Sequence, residues 1–335
     1  EVALLDEGGG VRALPASFED PVHRLESAVG TAAPLFVYPN LGDHAFAKVA
    51  LDPVSVAWAK ANLGALPDPL LRQQVWASLW EMVRDRGLSS LDYLELIRGN
   101  LPAERSLEIV QMVTATAAAA IARYVPADLI DTEAAAFVRS ARVAIEESAG
   151  DLKVLWGRAL IGAAAGPDVH PVAAALVDDP PDGLSIDQDM RWSVAVAAAA
   201  LDLPTAADRL AAERERDQSD RGDRAMARAE AARPDAAVKE EVWDRLHNHG
   251  YDSLHLALAG AAGFWRRRQA ELLEPFVPRF FDGLPDLFGE WEPEAARGYY
   301  RSFFPAYRIE ESTREAIAGL LAGEGLGPIL RRMLV

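Results

Sequence analysis

The chain has 335 residues, half of them apolar and a quarter charged, with a net charge of −17 and no cysteine. Its mean hydropathy of −0.02 is that of a soluble globular protein, long enough for roughly two domains. The acidic balance argues against a nucleic-acid partner, since no basic surplus is there to displace counterions from phosphates. Without thiols there is no disulfide framework, thiolate zinc site or cysteine nucleophile, which fits a reducing compartment such as the cytoplasm. No apolar run approaches bilayer length and no secretory leader is visible, so no membrane partner is expected. Glu1 in place of an initiator Met suggests a processed protein or a piece of a longer polypeptide.

Residues 1–35 are weakly patterned. EVALL reads as a strand, GGGV as a tight turn, and Asp20, His23 and Glu26 as a scattered polar loop. So strand-poor a segment scarcely makes a sheet of its own and reads as the edge of a larger β-layer. The stretch 36–52, FVYPNLGDHAFAKVALD, carries two β-type runs, LFVY and AFAKVAL, around a Pro39-Asn40 and Gly42-Asp43 turn. Asp52 is placed to cap a helix whose first turn begins with Pro53.

From Pro53 onward, Gly and Pro breakers mark off helix-sized intervals, about sixteen of them. Apolar residues recur at threes and fours, as in Val75, Leu79, Met82 and Val83, or Leu107, Val110, Val113 and Ala117. Ser89-Ser90 reads as a helix start, and Ser185 with Gln188 as a capping box. Short turns between helices predict antiparallel pairs stacked as a degenerate, HEAT-like α-solenoid. The expected fold is therefore mainly α: a short β segment over 1–52, part of a larger β-layer, and a helical superhelix over 53–335. Trp76, Trp80, Trp156, Trp192 and Trp243 fall at helix-interior positions and read as core. The Ala-rich runs TATAAAAIA and AVAAAALDL predict closely packed helices. Residues 205–233 hold seven acids and seven arginines on an alanine background and read as an exposed face laced with ion pairs.

The sequence holds no H-E-x-x-H, P-loop, Gly-rich dinucleotide fingerprint or G-x-S-x-G elbow. His247, His249 and His255, with Asp244 or Asp252, are the only clustered metal-type ligands. Spacings of two and eight residues, interrupted by Gly250, do not converge on a helix, so no metal site is expected. Arg266, Arg267 and Arg268 follow Phe264-Trp265 and read as the wet face of an amphipathic helix rather than an anion site. No catalytic residue emerges.

Several stretches resemble the C-terminal helical domain of zinc aminopeptidases of the aminopeptidase N family, in the form found in actinobacteria. They are VYPNLGDHAFAKVALDP; the W-x-x-x-R-D pattern at Trp80, Arg84 and Asp85; and LSIDQDMRW at Asp187, Asp189, Met190, Arg191 and Trp192. To these add AERERDQSDRG…RPDAAVKEEVW and FWRRRQAELLEPFVPRFF. The resemblance implies a parent enzyme whose catalytic domain holds zinc through H-E-x-x-H, with this domain capping the active site and restricting which peptides enter. It implies the catalytic domain and peptide substrates as partners, and zinc in the parent but none in this fragment. Arg84 and Arg191, beside tryptophans in matching stretches, are the candidates for drawing a peptide's far carboxylate into the chamber. The alternative is a free-standing HEAT-like protein–protein interaction module.

Overall fold

The computed structural model describes residues 1–335 except 7–8, 18–19, 21, 249, 308 and 324–325. Among the described residues, three β-strands are followed by seventeen α-helices, and the chain divides into two contact units. Unit 1 comprises residues 1–163 with 181–184; unit 2 comprises 164–180 with 185–335.

Unit 1 begins with β1 (Val2–Leu5), β2 (Val11–Leu14) and β3 (Phe36–Tyr38), an antiparallel sheet in the order β2-β1-β3. Val2 pairs with Leu14 and Ala3 with Tyr38, so Val2, Leu4 and Leu14 share one face and pack with Leu25 and Val37. The other face meets helices. Phe36 lies 5.1 Å from the ring of Trp58, and the Tyr38 hydroxyl is 3.1 Å from Ser78 Oγ. Residues 1–35 supply two of the three strands and residues 36–38 the third, and the two packed faces supply what the short strands lack. A correction concerns AFAKVAL, which forms no strand: the Ala47 amide turns back to the Ala45 carbonyl at 2.9 Å, and among the described residues no strand pairs with it.

Six helices follow in unit 1: α1 (Pro53–Asn62), α2 (Pro69–Arg84), α3 (Ser90–Asn100), α4 (Leu107–Arg123), α5 (Ile130–Glu147) and α6 (Gly150–Ala163). Their starts obey capping chemistry. Asp52 Oδ1 accepts from the N–H groups of Val54 and Ser55, Asp68 caps α2 ahead of Pro69, and Ser89 caps α3. Val75, Leu79, Val110, Val113 and Ala117 are buried as their spacing requires, whereas Leu107, in the first turn of α4, is exposed. The turn before α4 is locked by Arg72, which donates at 2.8 and 3.0 Å to the buried Glu104 carboxylate. Burial alone would raise the pKa of Glu104; Arg72 and the Arg105 and Ser106 amides outweigh it and hold the carboxyl below its usual range.

Unit 2 contains α7 (His170–Asp178), α8 (Gln188–Ala200), α9 (Ala206–Arg216), α10 (Asp220–Ala232), α11 (Ala236–His247) and α12 (Leu254–Phe264). It continues with α13 (Ala270–Leu273), α14 (Phe276–Glu290), α15 (Pro293–Phe303), α16 (Glu311–Ala322) and α17 (Pro328–Leu334). The cap of α8 is Asp187, which accepts from Met190 N–H, and not the predicted Ser185. Gln188 turns instead to Asp217. α8 and α10 meet through Val196, Ala199, Ala229 and Ala232, small enough to bring the two backbones close. The later helices pack an aromatic core in which Trp243 lies 5.3–6.1 Å from the rings of Phe264, Phe276 and Phe303. No described helix is long and apolar enough to cross a membrane.

Candidate functional site

Arg191 and Arg84 stand in different surroundings. On α8, Arg191 lines a groove of about 820 Å³ whose walls come from α7, α8, α9 and the loop before α8 and include Val177, Ile186, Arg209 and Arg216. Its Nε donates to Glu213 Oε2 at 3.0 Å and its Nη1 to the Ile186 carbonyl at 3.3 Å. Arg216 donates to the second oxygen of the same carboxylate at 2.5 Å, and Arg209 grips Asp178 through two nitrogens. The groove thus combines guanidinium groups oriented by Glu213 and Asp178 with short apolar walls. On α2, Arg84 is half-exposed and pairs with Glu81 at 2.6 Å. Glu81 and Asp85 also receive Lys48, which ties the 43–50 segment to α2.

Glu213, which lines the groove, and the neighbouring Asp217 correct the reading of 205–233 as a solvated face. Glu213 is only 5% exposed and Asp217 7%. Asp217 accepts the Trp192 indole N–H at 2.8 Å, the Ser219 amide at 3.1 Å and the Ser219 hydroxyl at 2.5 Å. These donors, Ser219 foremost, hold its pKa down against burial. Arg221 reaches Asp189 at 3.4 Å, and Arg224 pairs with Asp220, four residues before it, at 3.2 Å. A Cβ on Gly222 would stand 2.3 Å from the Asp217 carbonyl oxygen, so the turn into α10 admits only glycine. Residues quoted from two separate stretches for the resemblance (Asp187, Arg191 and Trp192; Asp217 and Gly222) therefore belong to one junction of α8, α9 and α10. Composition alone conceals this. The E-R-D…G pattern was the signal.

A second cluster went unnoticed in the sequence. Lys239, fully buried, donates to the Ala231 carbonyl at 2.6 Å and the Phe264 carbonyl at 2.8 Å, at the C-terminal ends of α10 and α12. Gln269 bonds the terminal carbonyls of α8 and α10, from Ala200 and Ala232, and Trp265 that of α15, from Phe303. Orphan carbonyls at four helix ends are thereby satisfied, and a cation suits their negative dipole. Burial, and then the charge of Arg266, pull the Lys239 pKa down to about 7. Arg266–Arg268 do not form the wet face of a helix, because α12 ends at Phe264 and a 3₁₀ turn follows over Arg267–Gln269. Arg266 donates to the Gly263 carbonyl, and burial, then Arg228, take its pKa down to about 10.

His247 accounts for both ring nitrogens. Nδ1 lies 2.7 Å from the Trp243 carbonyl, which only accepts, so Nδ1 carries the proton and Nε2 faces the Tyr299 hydroxyl at 2.8 Å. Burial lowers its pKa. His249 lies outside the described residues. Among the described residues no three His, Asp or Glu side chains stand close enough to hold a metal, and with His247 bonded on both sides the donor set does not fit a catalytic zinc.

Residues 36–335 match the family model described as ERAP1-like C-terminal domain. Aminopeptidase N of Streptomyces lividans is 31% identical over 312 residues, covering 91% of this chain and 36% of that protein. The chain belongs to the ERAP1-like C-terminal domain family and is a C-terminal domain of the aminopeptidase N type. It spans about a third of the length of the curated relative that it matches.

Proposed function

We propose that the chain is the non-catalytic C-terminal domain of a zinc-dependent cytoplasmic aminopeptidase, which removes N-terminal residues from peptides. In this reading the β segment 1–52 leads from an upstream sandwich and the HEAT-like helices of 53–335 close the active-site cavity and limit which peptides enter. The supporting observation is the match to Aminopeptidase N over 91% of this chain but 36% of that protein. Its sequence has no H-E-x-x-H, so catalytic zinc belongs to the remaining part of the parent. Arg191 serves as the carboxylate-facing residue, since it lines a groove and its guanidinium plane is fixed by Glu213. Arg84, exposed in the last turn of α2 and held by Glu81 with Tyr124 beside it, is the lesser candidate.

The test is Arg191→Ala in the parent enzyme, assayed on long peptides and on single-residue amides. Loss of a carboxylate contact raises KM for peptides about tenfold, or about 1.4 kcal/mol, and leaves the amides unchanged. Equal losses on both substrates, with a lowered Tm, would assign Arg191 to the Glu213 junction alone.

A further inference from the structure

The charges lining the Arg191 groove do not cancel where they stand. Arg209 and Asp178 neutralise one another through two hydrogen bonds, at 3.0 and 2.5 Å. Glu213 is shared: it accepts Arg191 Nε at 3.0 Å and Arg216 Nη1 at 2.5 Å, so two guanidinium groups face one carboxylate and a positive charge is in surplus there. The remaining ionised side chain of the lining is Asp208, exposed and without a hydrogen bond or ion pair among the described residues. Asp208 lies in the first turn of α9 and Arg216 in its last, with Ala212 between them in the same wall. Spacings of four put the three on one helix face, and eight residues separate the two charges by about 12 Å along the axis. The dipole of α9 favours the same order of charges, so the polarity of the groove is set before anything binds. A volume of about 820 Å³ is that of a site for an organic molecule rather than a bare ion.

We infer that the groove selects peptides whose last residue is lysine or arginine, with the α-carboxylate against Arg191 and Arg216 and the basic side chain directed to Asp208. This rests on the reading, given under Proposed function, that Arg191 faces a peptide's carboxylate. An extended basic residue and the side chains it meets cover the separation of the two charges together. Such a residue answers both surplus charges, an apolar one answers only the first, and an acidic one brings like charge to Asp208.

Fluorescence anisotropy on the 335-residue chain tests the selection, using peptides of equal length, labelled at the N-terminus and ending in Lys, Leu or Glu. At low salt the Lys peptide binds about fivefold tighter than the Leu peptide, and the Glu peptide binds more weakly than either. Moving the Lys to the middle of the peptide abolishes its advantage, which separates the groove from the general pull of a chain with net charge −17. Asp208→Asn makes the Lys and Leu peptides equal, and Asp208→Lys turns the preference to Glu; neither change removes a bond seen among the described residues. Equal affinity for all three ends, or a Lys preference that survives Asp208→Asn, would overturn the inference. Peptides amidated at the C-terminus separate it from the reading beneath it. Weaker binding of the amides with no preference for Lys overturns the selection alone. Amides that bind as tightly as the free acids, or no binding by any peptide, overturn the carboxylate reading and the selection with it.

Discussion

At the scale of single residues, the deepest charge in unit 2 is Lys239, which faces carbonyl oxygens and no carboxylate. In the folded state its amine releases its proton near pH 7; unfolded, it does so at about 10.4. Between those values the unfolded chain binds more protons, so stability rises with pH across the window, by up to about 1.4 kcal/mol per pH unit. Arg266, at about 10, adds to the slope only at its upper edge. Lys239→Met removes the slope and leaves the Ala231 and Phe264 carbonyls unbonded, at a cost of about 1–3 kcal/mol each. Urea unfolding of both proteins at pH 6.5 and 9 measures this. A slope surviving in the variant would assign it to another group. None of this was legible in the sequence. A lysine four residues before a tryptophan on an amphipathic helix looks like any exposed lysine, and only the ends of α10 and α12, brought together by the fold, show what it does.

At the scale of elements, glycines divide into those with and without room. On α12, a Cβ at Gly263 would lie 2.3 Å from the Arg228 carbonyl oxygen of α10, whereas one at Gly283 on α14 meets nothing within 4 Å. Gly263→Ala therefore forces α10 and α12 apart and costs about 1–3 kcal/mol. Gly283→Ala gains helix propensity and is neutral or stabilising by about 0.5–1 kcal/mol. Thermal unfolding of the two variants checks the pair; equal Tm values would show that the helices do not pack as described. Helix starts were well marked in the sequence because caps are local: Asp52 with Pro53, and Ser89, act where their chemistry puts them. Strand pairing was not. β2 carries an exposed Arg12 and Ala13 and so has little apolar alternation of its own, while AFAKVAL has the alternation without a neighbour. The acidic and basic residues of 205–233 misled for the same reason. Charge content does not reveal that Glu213 and Asp217 turn inward to partners 22 to 29 residues away.

At the scale of the whole molecule, family membership was legible through dispersed residues, and the structure gives many of them a packing role. Trp192 binds Asp217, Gly222 makes room for the Asp217 carbonyl, Lys239 gathers helix ends, and Trp243 centres an aromatic core. The groove was less legible, because Arg209, Arg216 and Asp178 come from helices on either side of α8 and meet Arg191 only after folding. Under the proposed function, the domain supplies shape and charge to a reaction carried out elsewhere. The release of N-terminal residues from peptides, measured side by side for the 335-residue chain and for the intact parent polypeptide, tests this most directly. The account predicts no release by the chain alone and release by the parent that a zinc chelator abolishes. Release by the isolated chain, or none by the intact parent, would contradict it.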